Sequence, residues 1–213
     1  MKKVVAINGS PRKRYNTATL LNSALEGARA VGADTEYIDL IDLEYRGCIS
    51  CFACKSLTNP GKGKCNLIDD LYIELNEILK CDAIIVGSPI YLGDVTGITR
   101  SFLERLLFPF VSYDKEESMK FDGKIDSAFI FTMNCPEDKA RVIYDSLFQS
   151  HVDVMKFLNG SSEYFIAADT YQFDDYSKYA VSRFNLEAKA QTRDEVFPET
   201  MKAAFELGQR LGK

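Results

Sequence analysis

Four cysteines, Cys48, Cys51, Cys54 and Cys65, fall within eighteen residues of one another and are the side chains here best suited to soft-metal chemistry. The C-x2-C-x2-C run puts successive thiols one short turn apart, so three sulfurs can reach a common centre. Cys81 and Cys135 stand apart. In a chain of this kind, six cysteines read as metal-binding, catalytic or buried rather than disulfide-bonded. A second group lies near the start, where Ser10, Asn16, Thr17 and Thr19 offer hydroxyl or amide donors and Arg12, Lys13 and Arg14 supply charge. Lys13 and Arg14 also suit a solvated basic loop. Donors at a strand-to-helix turn favour a phosphate, because unpaired N–H groups and the helix dipole both face it. Neither G-x-G-x-x-G nor G-x-x-x-x-G-K-[ST] follows, so a mononucleotide phosphate is favoured over a pyrophosphate.

These groups need elements to hold them. Val4 to Ile7 is a short apolar run that reads as a buried strand and stops at Gly9-Ser10-Pro11. Asn16 reads as the N-cap of a first helix, whose apolar face carries Leu20, Leu21, Ala24, Leu25, Ala28 and Val31 before a stop at Gly32. Thr35–Leu40 reads as a strand near a sheet edge. Asp39 at its end suits either a ribose acid or a strand-end turn. Residues 44–68 lack a clear period and form a cysteine-bearing insertion loop, with Gly61 and Gly63 able to fold it back. Helical spacing returns over Asp69–Leu79, and Ala83–Val86 is a second apolar strand that ends in Gly87-Ser88-Pro89. A helix over Val95–Phe110 shows more than one apolar face, enough for a core and a subunit interface. Tyr113–Lys124 reads as a solvated loop. Beyond it, Ser127–Phe131 is a strand, Pro136–Phe157 a helix and Tyr164–Ala167 a fifth strand. Residues 170–195 are irregular and tyrosine-rich, and Phe197–Leu211 closes as a helix with Pro198 in its first turn. His151, the only histidine, sits in mid-helix away from the expected strand ends and reads as packing or surface. Cys81 reads as a small core residue, and Cys135 as a packing residue near a helix start.

Strands that alternate with helices imply a parallel sheet covered on both faces. The expectation is one α/β domain over 1–213, a three-layer sandwich with five parallel strands in the order 2-1-3-4-5. Its ligand then sits beyond the carboxyl ends of strands one and three. Those are the two ends marked by Gly-Ser-Pro. The loop Ser88 to Asp94 and the third loop, Thr132-Met133-Asn134, converge on the same crevice, where backbone amides and Tyr91 suit a planar ring with polar edges.

The whole chain sets bounds. Hydrophobic content of 46% and charged content of 27% suit a globular protein, and a net charge of −5 argues against a nucleic-acid partner. No apolar run approaches the ~20 residues of a membrane span. No signal-peptide core precedes the first strand, so the expected location is cytoplasmic. No Ser-His-Asp arrangement or metal-binding His pair supports a hydrolase.

Gly9-Ser10-Pro11-Arg12 followed by Asn16-Thr17, and then Gly87-Ser88-Pro89-Ile90-Tyr91, resembles the flavodoxin-like NADPH-dependent FMN reductase family, most strongly over residues 3–135. The cysteine run between them resembles its iron–sulfur flavoprotein branch. The resemblance implies that Ser10, Arg12, Asn16, Thr17, Ala18 and Thr19 hold the FMN phosphate. It implies that Pro89, Ile90, Tyr91, Leu92, Gly93, Thr132, Met133 and Asn134 border the isoalloxazine. It also implies NAD(P)H as co-substrate, a small-molecule electron acceptor and a homodimer or homotetramer. By the same likeness, Cys48, Cys51, Cys54 and Cys65 hold a [4Fe-4S] cluster. Ten residues separate Cys54 from Cys65, a longer gap than the compact motif, so zinc and a metal-free loop stay open beside the cluster. The two functions implied are an FMN-dependent oxidoreductase and an electron carrier between a cluster, ferredoxin-like partners and FMN; a structural or sensor protein that keeps flavin or zinc for stability is the third.

Overall fold

The computed structural model describes residues 1–58, 63–115 and 121–213. Gly61 and part of the 113–124 loop lie outside them. Strands β1 (Lys3–Asn8), β2 (Asp34–Asp39), β3 (Ala83–Tyr91), β5 (Ile125–Thr132) and β6 (Asn159–Ala167) form a parallel sheet. A two-residue strand, β4 (Asp94–Val95), pairs antiparallel with the end of β3. The order is β2-β1-β3-β5-β6, so the expected five-strand sheet of order 2-1-3-4-5 gains a sixth, short strand where β3 doubles back.

Alternation along the buried strands explains the two covered faces. Val4, Ala6, Ala83, Ile85, Ala128 and Ile130 pack under α1 (Asn16–Ala30) and α6 (Phe197–Leu211). Val5, Ile7, Ile84, Val86, Phe129 and Phe131 face the other way, toward α2 (Asp70–Ile78), α3 (Gly97–Leu107) and α4 (Glu137–Met155). The α1 and α6 backbones touch at two glycines. A Cβ on Gly208 would lie 1.7 Å from the Ala24 carbonyl oxygen, and one on Gly27 would lie 1.9 Å from that of Phe205.

Several expectations change. β3 runs through Gly87-Ser88-Pro89 rather than turning there. β1 ends its pairing at Asn8–Gly87 while β5 continues to Pro89–Thr132. Past Gly87 one side of β3 is therefore an edge, where proline is tolerated. β6 starts at Asn159, earlier than expected, because its first residues are polar and alternate only half-buried with exposed. The irregular 170–195 segment contains α5 (Leu186–Gln191), which continues through a π turn at Thr192–Val196 into α6. Most apolar residues of α3 lie inside the chain: Phe102, Leu103, Leu106, Leu107 and the following Phe110 are all buried, while Ile98 and Phe108 stay half-buried. Cys81 is buried in the core, as expected, and burial pushes its thiol up to about 12. No helix of the described residues is long and apolar enough to cross a membrane.

Candidate functional site

β1 and β3 lie side by side with their carboxyl ends together, and a buried hydroxyl cluster fixes the loops that follow. Gly9 N–H donates to the Gly87 carbonyl (2.8 Å). Thr96, which caps α3 by accepting from the Thr99 N–H (3.3 Å), donates its hydroxyl to the Gly9 carbonyl (2.6 Å), and its own N–H donates to Ser88 Oγ (3.1 Å). Neither Thr96 nor Thr99 stood out in the sequence, because nothing local marks a hydroxyl that bridges residues ninety positions apart. Asn8 Nδ2 donates to Asp39 Oδ1 (2.6 Å), so Asp39 serves as the strand-end tie of β1 to β2.

Above this cluster a cavity of about 800 Å³, its open mouth included, is lined by Ser10, Arg12, Asn16, Thr17, Pro89, Ile90, Tyr91, Thr132, Met133 and Asn134. The three strand-end loops thus meet. Thr17 and Thr132, one from α1 and one from β5, share a hydroxyl–hydroxyl bond of 2.8 Å. Four expected residues do not line it. Ala18 is buried beneath, Thr19 turns its hydroxyl back to the Tyr15 carbonyl (3.1 Å), and Leu92 and Gly93 form the tip of the β3–β4 hairpin. That tip has φ of 50° at Leu92 and 89° at Gly93, the positive pair a tight two-residue hairpin requires. Glycine adopts it freely; the fully exposed Leu92 does so under strain.

The missing wall comes from the tyrosine-rich segment. Tyr15, Thr170, Tyr171, Gln172 and Phe173 also line the cavity. Asn16 is the first residue of α1, with Tyr15 as its cap. It is not the expected N-cap, because its amide is taken by tertiary partners. Its Nδ2 donates to the Tyr171 carbonyl (2.7 Å), and its Oδ1 accepts from Arg193 Nη1 (3.2 Å). Arg12 donates to the Gln172 carbonyl (2.6 Å) and lies 3.4 Å over the Tyr15 ring. Burial pushes the Tyr15 phenol up, against the pull of Arg12. Lys13 pairs with Asp42 on the surface (2.6 Å), the solvated role open to it. The segment is held from behind by Lys189, whose buried ammonium donates to Asp169 Oδ1 (2.7 Å). Tyrosine content hinted at this wall, but no periodicity located it.

One polar atom of the cavity wall is left over. Asn134 donates through Nδ2 to Gln172 Oε1 (2.8 Å), while its buried Oδ1 has no partner. Buried acceptors of this kind seek a donor.

His151 packs against Phe129 and Phe131, the packing role expected of it, but it is not remote from the strand ends. It is buried on α4, and its Nε2 lies 2.9 Å from Asp94 Oδ1, so it fastens the base of the β3–β4 hairpin. Cys135 is half-buried before α4, and burial pushes its thiol up, which favours packing over a thiolate.

The cysteine loop builds a second, shallower cavity of about 360 Å³, its open mouth included, lined by Cys48, Cys51, Cys54 and Cys65 with Phe52, Glu104, Arg105 and Phe108. Ser50 and Phe52 carry positive φ (53° and 56°), bending the chain on either side of Cys51 at a cost of roughly 1–3 kcal/mol each. Cys48 and Cys51 are exposed, Cys65 half-buried and Cys54 buried, and burial holds the Cys54 thiol above its ordinary value. Among the described residues no group of three His, Cys, Asp or Glu is placed to hold a metal ion.

Residues 2–134 match the family model described as NADPH-dependent FMN reductase. The chain belongs to the NADPH-dependent FMN reductase family. That stretch contains all three strand-end loops and all four clustered cysteines. Curated relatives include an iron-sulfur flavoprotein of Archaeoglobus fulgidus, 42% identical over 103 residues (48% of each chain). Iron-sulfur flavoprotein MJ1083 of Methanocaldococcus jannaschii is 40% identical over 103 residues, 48% of this chain and 51% of that one. The chain spans about half the length of these relatives. Among solved structures, an NAD(P)H:quinone oxidoreductase from Methanothermobacter marburgensis superposes with a TM-score of 0.70 at 13% identity, covering 99% of this chain and 98% of that one. An FMN-dependent NADH-azoreductase from Bacillus anthracis in complex with FMN gives 0.67 at 13% identity with 100% of both covered. At these identities the likeness is one of fold.

Proposed function

We propose that this chain binds FMN in the cavity at the carboxyl ends of β1, β3 and β5 and works as an NAD(P)H-dependent oxidoreductase for a small acceptor such as a quinone, free flavin or nitro compound. The observation that carries the reading is the convergence of three strand-end loops on one cavity whose wall holds an unpartnered buried acceptor, Asn134 Oδ1. The N-terminus of α1, with Ser10, Thr17 and Arg12 beside it, suits the phosphate. Asn134 suits an N–H at the edge of the ring, and the Ile90–Tyr91 backbone flanks it. FMN, when bound, supplies the transfer of electrons between nicotinamide and acceptor. The protein's own part is to orient the ring, exclude water from its buried edge and hold the phosphate. Tyr171 to Phe173 close one side of the cavity, anchored by Asn16, Arg12 and Lys189.

A second reading is favoured by the cysteine cavity. Four thiols line one space, and a [4Fe-4S] cluster takes one thiolate on each of its four irons. In this reading electrons pass between the cluster, supplied by a ferredoxin-like partner, and FMN. The expected assembly is a homodimer or homotetramer of one FMN-binding domain, in the cytoplasm, where free thiols stay reduced.

The test is an anaerobic purification followed by flavin, iron and sulfide analysis, then reduction by NADPH or by reduced ferredoxin. Bound flavin reduced rapidly by NADPH supports the oxidoreductase. Reduction by ferredoxin alone supports the carrier. A chain that takes up no FMN refutes both.

A further inference from the structure

Arg105, on α3, has a side chain with no exposure to solvent, and it turns away from the flavin cavity into the cysteine loop. Its five N–H groups make five hydrogen bonds. Nε donates to Cys65 Sγ (3.0 Å). Nη1 donates to the Arg46 carbonyl (3.0 Å) and Asp69 Oδ2 (2.6 Å). Nη2 donates to the Leu67 carbonyl (2.8 Å) and Asp69 Oδ1 (3.0 Å). The partners lie on both flanks of the loop, before Cys48 and on either side of Leu67. Guanidinium is donor-only and always charged, so the sulfur must accept. The loop is also closed from within, where Gly63 N–H donates to the Cys54 carbonyl (2.9 Å).

We propose that Arg105 is the positioning residue of the cysteine cavity: it ties both ends of the loop to α3, holds Cys65 in place despite the ten-residue gap from Cys54, and donates a hydrogen bond to the Cys65 sulfur when a [4Fe-4S] cluster is bound. This rests on the cluster reading of the four cysteines. Hydrogen bonds to ligating sulfurs are one of the terms that set a cluster's reduction potential. Reduction adds negative charge, so a donated N–H favours the reduced state. Loss of the bond lowers the potential. Lysine at this position keeps the positive charge but has neither the fork nor the Nε–H, and Asp69→Asn keeps Arg105 while removing the charge that orients it.

The experiment uses anaerobically purified protein with flavin content as the check on folding. Iron, sulfide and the cluster's midpoint potential are read for wild type, Arg105→Lys and Asp69→Asn. Pulsed EPR on the reduced wild type labelled with 15N-arginine reads the contact directly. The expected result is coupling to a guanidinium nitrogen in wild type. Arg105→Lys should keep its flavin and shift the ratio of reduced to oxidised cluster about tenfold toward oxidised, 59 mV for one electron. Asp69→Asn should give a smaller shift in the same direction. An iron-loaded wild type with no arginine coupling overturns the inference, as does a folded Arg105→Lys with wild-type iron content and potential, and either result leaves the cluster reading standing. A wild type that holds flavin but no iron or sulfide overturns the cluster reading, and this inference with it.

Discussion

The bond between Thr17 and Thr132 joins the first loop's helix to the third loop, and it separates fold stability from cofactor binding. Both residues are about 3% exposed, and their hydroxyls lie 2.8 Å apart in the cavity wall. Thr17→Val keeps the shape but leaves Thr132 Oγ1 buried without its partner, an imbalance that costs roughly 1–3 kcal/mol. Thr132→Val does the same in reverse. The double variant removes both polar groups, so it should recover most of that loss and unfold within about 1 kcal/mol of wild type. Cofactor affinity should not recover, because the double variant lacks the Thr17 hydroxyl that would meet the phosphate. Hydrogen bonds to charged groups are worth about 1.5–3 kcal/mol, which at 1.4 kcal/mol per decade is roughly a ten- to hundredfold weaker Kd for FMN. Urea unfolding of the apo-proteins and fluorescence titration with FMN measure the two quantities. Additive stability losses would refute the proposed pairing. Wild-type FMN affinity in the double variant would refute the phosphate role.

Other positions give independent outcomes. Gly9→Ala places a Cβ 1.8 Å from Thr99 Oγ1 and 3.0 Å from the Gly87 carbonyl oxygen, inside the buried hydroxyl cluster. Overpacking of this kind costs about 1–3 kcal/mol, so a drop in urea midpoint is expected. Lys189→Met leaves the Asp169 carboxylate without its ammonium, so limited proteolysis should cut faster within 170–195 and FMN should bind more weakly; an unchanged cleavage pattern would count against the anchoring role. The buried Cys81 thiol, held up to about 12 against an ordinary 9.0, gives a pH prediction. Below about pH 9 both states keep the proton and the shift has no effect. Above it unfolding releases a proton, so stability falls by about 1.4 kcal/mol per pH unit until the folded thiol ionises near 12. Urea unfolding at pH 8.5 and 10.5 should show a steeper fall in wild type than in Cys81→Ala, where the other buried thiols keep a smaller slope of the same sign.

Much of the fold was legible because it rests on local signals. The apolar runs at Val4–Ile7 and Ala83–Val86 admit only buried strands, and the helical spacing around Leu20 and Leu71 fixes the covering layers. Gly-Ser-Pro after β1, and again in β3 where its pairing with β1 stops, pointed to the crevice. What local pattern missed depends on tertiary partners. Pro89 reads as a turn until β1 is known to stop at Asn8. Asn16 reads as a cap until Tyr171 and Arg193 take its amide. His151 looks remote in the sequence, yet α4 carries it to Asp94. Arg105 looks like one more charge on an amphipathic helix. Only the folded loop shows all five of its N–H groups turned inward. The wall at Tyr171–Phe173 was hinted at only by its tyrosines, since its conformation is held by Lys189, Arg12 and Asn16.

The central claim is that the cavity at the ends of β1, β3 and β5 is an FMN site. Titration of the apo-protein with FMN, followed by the loss of flavin fluorescence and by calorimetry, tests it most directly. One FMN per chain, with affinity lowered in Asn134→Ala and Thr17→Val but unchanged in Cys48→Ala, is the predicted result. No saturable binding, or binding that survives both cavity substitutions intact, would contradict it.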